Sequence, residues 1–365
     1  MTHPFNLRSS GPMVAGVAAT FIGTVVGAGF ASGQEIYQFF SRQGRNGSLG
    51  LLLAILILGA AGAKVFQIGR ILQPESYGDL LRLIMGRRLA VVADLLLGLF
   101  YIVLIGVMFA GSGAIFAELG LGYWMGIVGT AALLLAVLFN ELPGLIAANL
   151  VIIPLMFVGA VLASLVALKT RCAVLAPGPA DWNWVLASVQ FSSYNLVLSV
   201  PVLLSLSKRY PFAPVLTAGG WLGSLGLGAM AALIHYSIML HLPHLRTSPL
   251  PMIELAKSAG TWFYIAYALI LWAEMLTTLL ADTYGLAERL ASGTGWPYRF
   301  WILVLTAAGI IVAKAGFVNL ITRFYPFYGY LCLVILALII GVRLPKGREP
   351  GQRASLLWQF PSKSG

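Results

Sequence analysis

The stretch GTVVGAGFASGQE, residues 23–35, sets a carboxylate, Glu35, and a hydroxyl, Ser32, among four glycines. Two more polar clusters interrupt apolar runs: VQFSSYNLVLSVP at 189–201 and AEMLTTLLADTYGL at 273–286. Hydroxyls and unpaired backbone carbonyls are hard oxygen ligands for small cations. Freed amides attract anions. A carboxylate in an apolar setting can hold an amine, carry a proton or cap a helix.

Gly27, Gly29 and Gly33 each weaken a helix by about 1 kcal/mol relative to Ala, so their spacing predicts an interrupted helix. Ser32-Gly33-Gln34-Glu35 has the spacing of a capping box. Ser32 would accept from the amide of residue 35, and Glu35 would reach back to the amide of Ser32. That pattern marks a helix start, here a restart inside an apolar span. Irregular backbone at membrane depth is tolerated only where it is buried in protein or lines a polar cavity. The other reading is a small-residue packing surface, since Gly23-xxx-Gly27 and Gly29-xxx-Gly33 both fit it. It leaves Glu35 unexplained, and the unwound site is favoured.

In the second cluster Ser192, Ser193, Tyr194 and Asn195 precede Pro201. They predict a second break, of the kind expected where inverted repeats place two broken helices at corresponding positions. In the third cluster Glu274, Thr278 and Asp282 share one helical face, with Thr277 beside them. Ionisable groups inside a membrane usually mark an ion or proton path. Alternatively the threonines bond to their own helix carbonyls, and Asp282 sits in water near the cytoplasmic end.

These clusters must be positioned by membrane helices. Hydrophobic residues make up 59% of the chain and charged residues 10%, too few to cover a soluble core of this size. Continuous apolar runs of about 20 residues recur, each able to span about 30 Å of hydrocarbon, and the lack of alternation excludes a β-barrel. Ten spans are expected, at roughly 13–40, 47–70, 88–118, 122–140, 143–168, 182–208, 211–241, 261–290, 297–313 and 316–342. Pro143 and Pro211 fall at first-turn positions. Short elements are expected at 74–86 and 243–260. The domain reading is a cytoplasmic segment 1–12, a transmembrane domain 13–342 with repeats at about 13–168 and 182–342, and a basic cytoplasmic tail 343–365. Most of the 23 Lys and Arg residues then lie inside, so the positive-inside rule favours cytoplasmic termini.

The first run is too long for a signal-peptide core. Cys172 and Cys332 imply no disulfide or metal framework. The net charge of +11 reflects basic loops facing anionic lipid, and nucleic acid is not an expected partner. The four histidines, His3, His235, His241 and His244, form no catalytic set, so no enzyme is expected. No nucleotide loop is present, so primary active transport by this chain alone is not expected either.

FIGTVVGAGFASGQEIYQFF, residues 21–40, closely resembles the first helix of YkvI-type bacterial membrane proteins. These resemble distant members of the amino acid–polyamine–organocation superfamily, with its LeuT-type fold: an all-α polytopic protein with a five-plus-five inverted repeat and helices 1 and 6 broken. The resemblance covers all ten spans in layout, and the first-helix motif alone is specific. It implies a sodium ion held by the carbonyls of Gly23, Val26 and Glu274 and the hydroxyls of Thr277 and Thr278. It implies a substrate against Ala28, Gly29, Phe30, Ala31 and Ser32 and against Ser192, Ser193, Tyr194 and Asn195, with Tyr101 closing the pocket. Glu35 departs from the sodium amino-acid symporters. A carboxylate there opposes a substrate carboxylate, and it binds an amine or carries a proton instead.

The expected function is therefore secondary active transport by alternating access in the bacterial inner membrane. Sodium-coupled symport of a small organic solute such as an amino acid or amine is favoured. Proton coupling through Glu35, Glu274 or Asp282 is the alternative, and a transporter-like small-molecule sensor is another. No cofactor is expected besides the coupling ion. The expected partners are the solute and the lipid bilayer; the sequence leaves the oligomeric state open.

Overall fold

The computed structural model describes residues 7–74, 76–139, 145–169, 182–210, 212–245, 248–342 and 344. The segment before residue 7, Pro143, Cys172, Pro211 and the tail from 345 onward lie outside the described residues, as does His3. The described chain is helical throughout, with no strand. Its elements are α1 (Leu7–Val25), α2 (Ala28–Ala31), α3 (Gln34–Phe39), α4 (Arg45–Leu72), α5 (Tyr77–Glu118), α6 (Tyr123–Phe139), α7 (Leu145–Lys169) and α8 (Asn183–Arg209). They continue as α9 (Ala213–Leu240), α10 (Leu242–Leu245), α11 (Pro251–Lys257), α12 (Thr261–Thr294), α13 (Tyr298–Ala313), α14 (Phe317–Asn319) and α15 (Tyr325–Gly341), with a π turn over Leu320–Phe324 joining the last two.

Among the described residues 7 helices are long and apolar enough to cross a membrane, and three shorter apolar helices, Gly11–Val25, Tyr123–Phe139 and Tyr298–Ala313, accompany them. Leucines and valines such as Leu56, Leu95, Val128 and Val334 stand exposed on the outside of the bundle. That is the surface a hydrocarbon solvent accepts.

Local chemistry explains the boundaries. α4 stops at Gln73, which adopts left-handed φ 45° and donates its N–H to the Gly69 carbonyl, and Pro74 cannot continue a helix. α5 starts where the Ser76 hydroxyl accepts from the Asp79 N–H at 3.1 Å, an N-cap. Inside α5, Gly86 takes φ 76° and ψ 168°. The short element expected at 74–86 is thus a separate short helix joined to the third span through a glycine kink. Within the segment 243–260, α10 ends at Leu245 and α11 spans Pro251–Lys257, whose Pro251, Met252, Ile253, Leu255 and Ala256 are all buried.

α8 runs through the middle of the molecule, packed against α4 and α15, while α1 lies on α9. A second group of packed helices is formed by α5, α6, α12 and α13. Gly219 and Gly223 on α9 let α1 approach: a Cβ on either would fall within about 3 Å of Val17 or Phe21 atoms. The C-terminal end of the first span is tied to α9 by His235, whose ring nitrogens lie 3.0 Å from the Ser41 hydroxyl and 3.1 Å from the Ser48 hydroxyl.

The expected break in the sixth span is corrected. α8 is one continuous helix from Asn183 to Arg209, with Pro201 inside it. The Ser192, Ser193 and Asn195 side chains bond to their own helix instead of parting it.

Candidate functional site

The first span is divided. The ladder runs to Val26, whose N–H donates to Ile22 at 2.8 Å, and resumes with the Ala31 N–H donating to Gly27 at 3.0 Å. Gly27 between them is extended, with φ −113° and ψ −175°. α2 then makes a single turn, and Gly33 takes left-handed φ 79° before α3 begins. A Cβ on Gly33 would also meet Met252 Cγ at 2.8 Å.

The turn is held from two neighbours. The Met252 N–H of α11 donates to the Ser32 carbonyl at 3.0 Å. The Tyr267 hydroxyl of α12 donates to the Ala31 carbonyl at 2.7 Å. Carbonyls at a buried helix end need such partners.

The capping box is corrected. The Ser32 N–H is already used on the Ala28 carbonyl, so Ser32 closes α2 instead of opening α3. Its hydroxyl donates to the Gly29 carbonyl at 2.9 Å and accepts from the Gln34 N–H at 3.3 Å. The helix start falls on Gly33, and the Glu35 carboxylate is released to point elsewhere.

Glu35 is 6% exposed. Its Oε2 accepts from the Tyr194 hydroxyl of α8 at 2.7 Å. Its other oxygen lies over Gly29, where a Cβ would be 2.0 Å from Oε1. Glycine at 29 is what gives this carboxylate room. Around it, the Tyr194 ring packs with Phe39 at 5.7 Å, Phe191 at 5.8 Å and Tyr325 at 5.3 Å between centroids. No Lys, Arg or His among the described residues pairs with Glu35; the ion pairs there are Arg82–Asp79, Lys257 with Glu118 and Glu254, and Arg289–Asp94.

Of the four residues expected on the sixth span, Tyr194 alone reaches this centre. The Ser192, Ser193 and Asn195 side chains donate to the carbonyls of Ser188 at 2.8 Å, Val189 at 2.6 Å and Phe191 at 2.9 Å, within their own helix. Ser192 also reaches the Ala54 carbonyl at 3.3 Å.

On α12, Glu274 is buried and its Oε2 has no partner. The Thr277 hydroxyl donates to the Glu274 carbonyl at 3.1 Å, and Thr278 is half-buried. Gly23 faces Ile153 of α7. Asp282 does not stand freely in water: its Oδ2 is enclosed without a partner, as is the Thr283 hydroxyl. Tyr101 of α5 lies within electrostatic reach of Asp282 and Arg289, whereas Tyr325 lies within reach of both Glu35 and Asp282. The second tyrosine near Glu35 is therefore Tyr325, packed on Tyr194.

One turn further along α3 and α8 opens a cavity of about 380 Å³, with Phe39 in its wall. Gln38 and Gln190 line it and fasten the π turn and the start of α15 there. The Gln38 amide donates to the Thr322 carbonyl at 3.4 Å, and the Gln190 amide to the Pro326 carbonyl at 3.2 Å. Pro326 has no N–H to continue an α ladder, and the helix before it widens into the π turn. Tyr267, Tyr325, Met252 and the glutamine pair were not singled out from sequence. The Tyr-Pro step at 325–326 was the one available signal.

No family model matches the chain. It is 26% identical over 337 residues to the uncharacterized membrane protein YkvI of Bacillus subtilis (strain 168), covering 91% of this chain and 97% of that one. It is 25% identical over 320 residues to the uncharacterized protein YyaD of the same organism, covering 87% and 94%. Among solved structures it is similar to Mhp1, a nucleobase-cation-symport-1 family transporter in a closed conformation with bromovinylhydantoin bound, at TM-score 0.62 and 15% identity over 90% of this chain and 77% of that one. It is also similar to the Eremococcus coleocola manganese transporter, at TM-score 0.59 and 12% identity over 93% and 87%. The chain thus resembles YkvI over nearly its whole length, and its fold is similar to those of Mhp1 and the manganese transporter.

Proposed function

We propose that this protein is a secondary active transporter, moving a small organic solute such as an amino acid or amine across the bacterial cytoplasmic membrane by alternating access. In this reading ten crossings form a five-plus-five repeat with both termini in the cytoplasm. The observation that carries it is the Glu35–Tyr194 contact, a buried carboxylate at an interrupted helix bonded to the facing span. Such a joint has two arrangements, with the bond made or with a solute between its partners. Among the described residues no group of three or more His, Cys, Asp or Glu side chains converges, so a manganese-like cargo is not proposed.

The coupling ion is proposed to be sodium, held by the carbonyls of Gly23, Val26 and Glu274 and the hydroxyls of Thr277 and Thr278. The interrupted ladder after Val26 supports this reading, because it frees carbonyls that a continuous helix would use. A second reading, proton coupling, is favoured by the unpartnered carboxylate oxygens of Glu274 and Asp282. Buried carboxylates without a cation are costly and are neutralised by a proton or an ion.

Thermal unfolding of the purified protein in choline, sodium and potassium chloride, at two pH values, separates these. A ligand that binds only the folded state raises its stability. Sodium-specific stabilisation that disappears in the Thr277→Ala/Thr278→Ala double variant is the expected result. A pH-dependent shift lost in Glu35→Gln or Glu274→Gln, with no sodium effect, would replace sodium by the proton.

A further inference from the structure

We propose that the cavity above Phe39 is a separate, outer binding site for the carboxylate group of a small amino-acid-like solute, with Arg42 as its anion-holding residue. At about 380 Å³ the cavity has the volume of a small-ligand site. Its wall combines polar Arg42, Gln43, Asn183 and Gln190 with apolar Leu186 and Tyr330.

Among the described residues Arg42 is the one charged side chain in that lining, and no acidic side chain joins it. Its guanidinium is held from one side. One N–H of Arg42 donates to Gln38 Oε1 at 2.9 Å, and the same Gln38 amide donates to the Thr322 carbonyl. Gln38 is thereby fixed with its oxygen toward Arg42. A guanidinium carries five donors in a planar fork. Those that remain suit the two oxygens of a carboxylate, which a guanidinium binds bidentately. Gln190 is fixed in the same way by its amide on Pro326. Its carbonyl oxygen is left as an acceptor, and the apolar wall takes an aliphatic chain.

The site also has a direction. Phe39 lies between the cavity and the centre, packed on Tyr194 and Phe191. Behind it stands Glu35. Arg42 outside and Glu35 inside are opposite charges met in succession, the order that suits a solute bearing both a carboxylate and an ammonium. Passage from one to the other rests on the transporter reading; binding at Arg42 does not.

The test uses three probes of one carbon skeleton on the purified full-length protein: L-leucine, isovalerate (carboxylate alone) and isopentylamine (amine alone). Thermal unfolding is followed over a concentration series of each. Isovalerate and leucine are expected to stabilise the protein. Arg42→Gln is expected to weaken isovalerate about tenfold or more, the loss from one hydrogen-bonded charge partner, and Arg42→Lys is expected to fall between. Arg82→Gln, an exposed arginine on the cytoplasmic element paired with Asp79, controls for losing a surface charge and keeps the affinity. Absence of isovalerate stabilisation, equal losses in the two Gln variants, or isopentylamine binding as strongly as isovalerate would each overturn the site. Uptake of labelled leucine into liposomes under a sodium gradient separates the two readings. Uptake with unchanged KM in Arg42→Gln, together with unchanged isovalerate affinity, removes the outer site and leaves transport standing. Arg42-dependent isovalerate binding without flux of any probe keeps the site and removes the transporter reading.

Discussion

The first and sixth spans face one another across Glu35 and carry similar polar loads, yet one is divided and the other is whole. The first holds Gly27, Gly29 and Gly33; the sixth holds Ser192, Ser193, Asn195 and Ser199. Each of those four side chains bonds a carbonyl four residues back in its own helix, as Ser199 does to Asn195 at 2.7 Å. Hydroxyls and amides thus find partners without leaving the helix. Glycines offer no such partner, raise the entropic cost of helix, and permit backbone shapes closed to other residues. Polarity by itself does not open the buried sixth span, whereas in the first span glycines permit the opening and neighbours hold it open. Here those neighbours are Tyr267 and Met252.

The comparison breaks hardest at Gly29. A methyl there would overlap Glu35 Oε1 at 2.0 Å, so Gly29→Ala must expel the carboxylate and with it the Tyr194 bond. Overpacking alone costs about 1–3 kcal/mol, and the severed hydrogen bond adds to it. The expected outcome is a clear fall in melting temperature together with loss of solute uptake. Gly27→Ala is the matched control. That position has negative φ and nothing within 4 Å of a Cβ, so it should leave both readouts close to wild type. If the two variants behave alike, the carboxylate is not what Gly29 protects.

Tyr194→Phe comes next. It keeps the ring against Phe39, Phe191 and Tyr325 and removes only the hydroxyl bonded to Glu35. Hydrogen bonds to charged groups contribute about 1.5–3 kcal/mol, and the variant should lose part of that in a denaturation experiment. It should also change the concentration dependence of uptake. An unchanged melting temperature and unchanged uptake would mean that the contact between the two spans is incidental.

How far the sequence carried this centre differs from residue to residue. The interruption near Gly27 follows from propensity, which is local. The role of Ser32 was misread because its amide is used by Ala28, a fact set by whether α2 closes a turn or α3 opens one. The break assigned to the sixth span failed because composition does not reveal where a hydroxyl points. Glu35 was legible as an oddity, but its partner was not, since Tyr194 lies on another helix and their meeting depends on packing. Tyr267, Tyr325 and the Arg42 cavity belong wholly to that packing. Nothing in their local sequence marks them except Pro326, which loosens the helix beside Tyr325.

The smallest effect is expected at Ser193, and it sharpens the contrast most. The Ser193 hydroxyl is bonded at 2.6 Å to the Val189 carbonyl of its own helix, and that carbonyl is the one the α8 ladder already uses four residues on. Ser193→Ala loses one neutral hydrogen bond, about 0.5–1.5 kcal/mol, but leaves no donor or acceptor stranded. It also gains a residue with higher helix propensity, about 0.5 kcal/mol. The two nearly cancel, so the melting temperature and uptake should stay close to wild type. The same change at Ser32 removes a hydroxyl that joins Gly29 to Gln34 across the end of α2, and there it should be felt. A Ser193 variant as damaging as the Ser32 one would show that α8 opens during the working cycle, with its hydroxyls leaving their own helix to meet the solute.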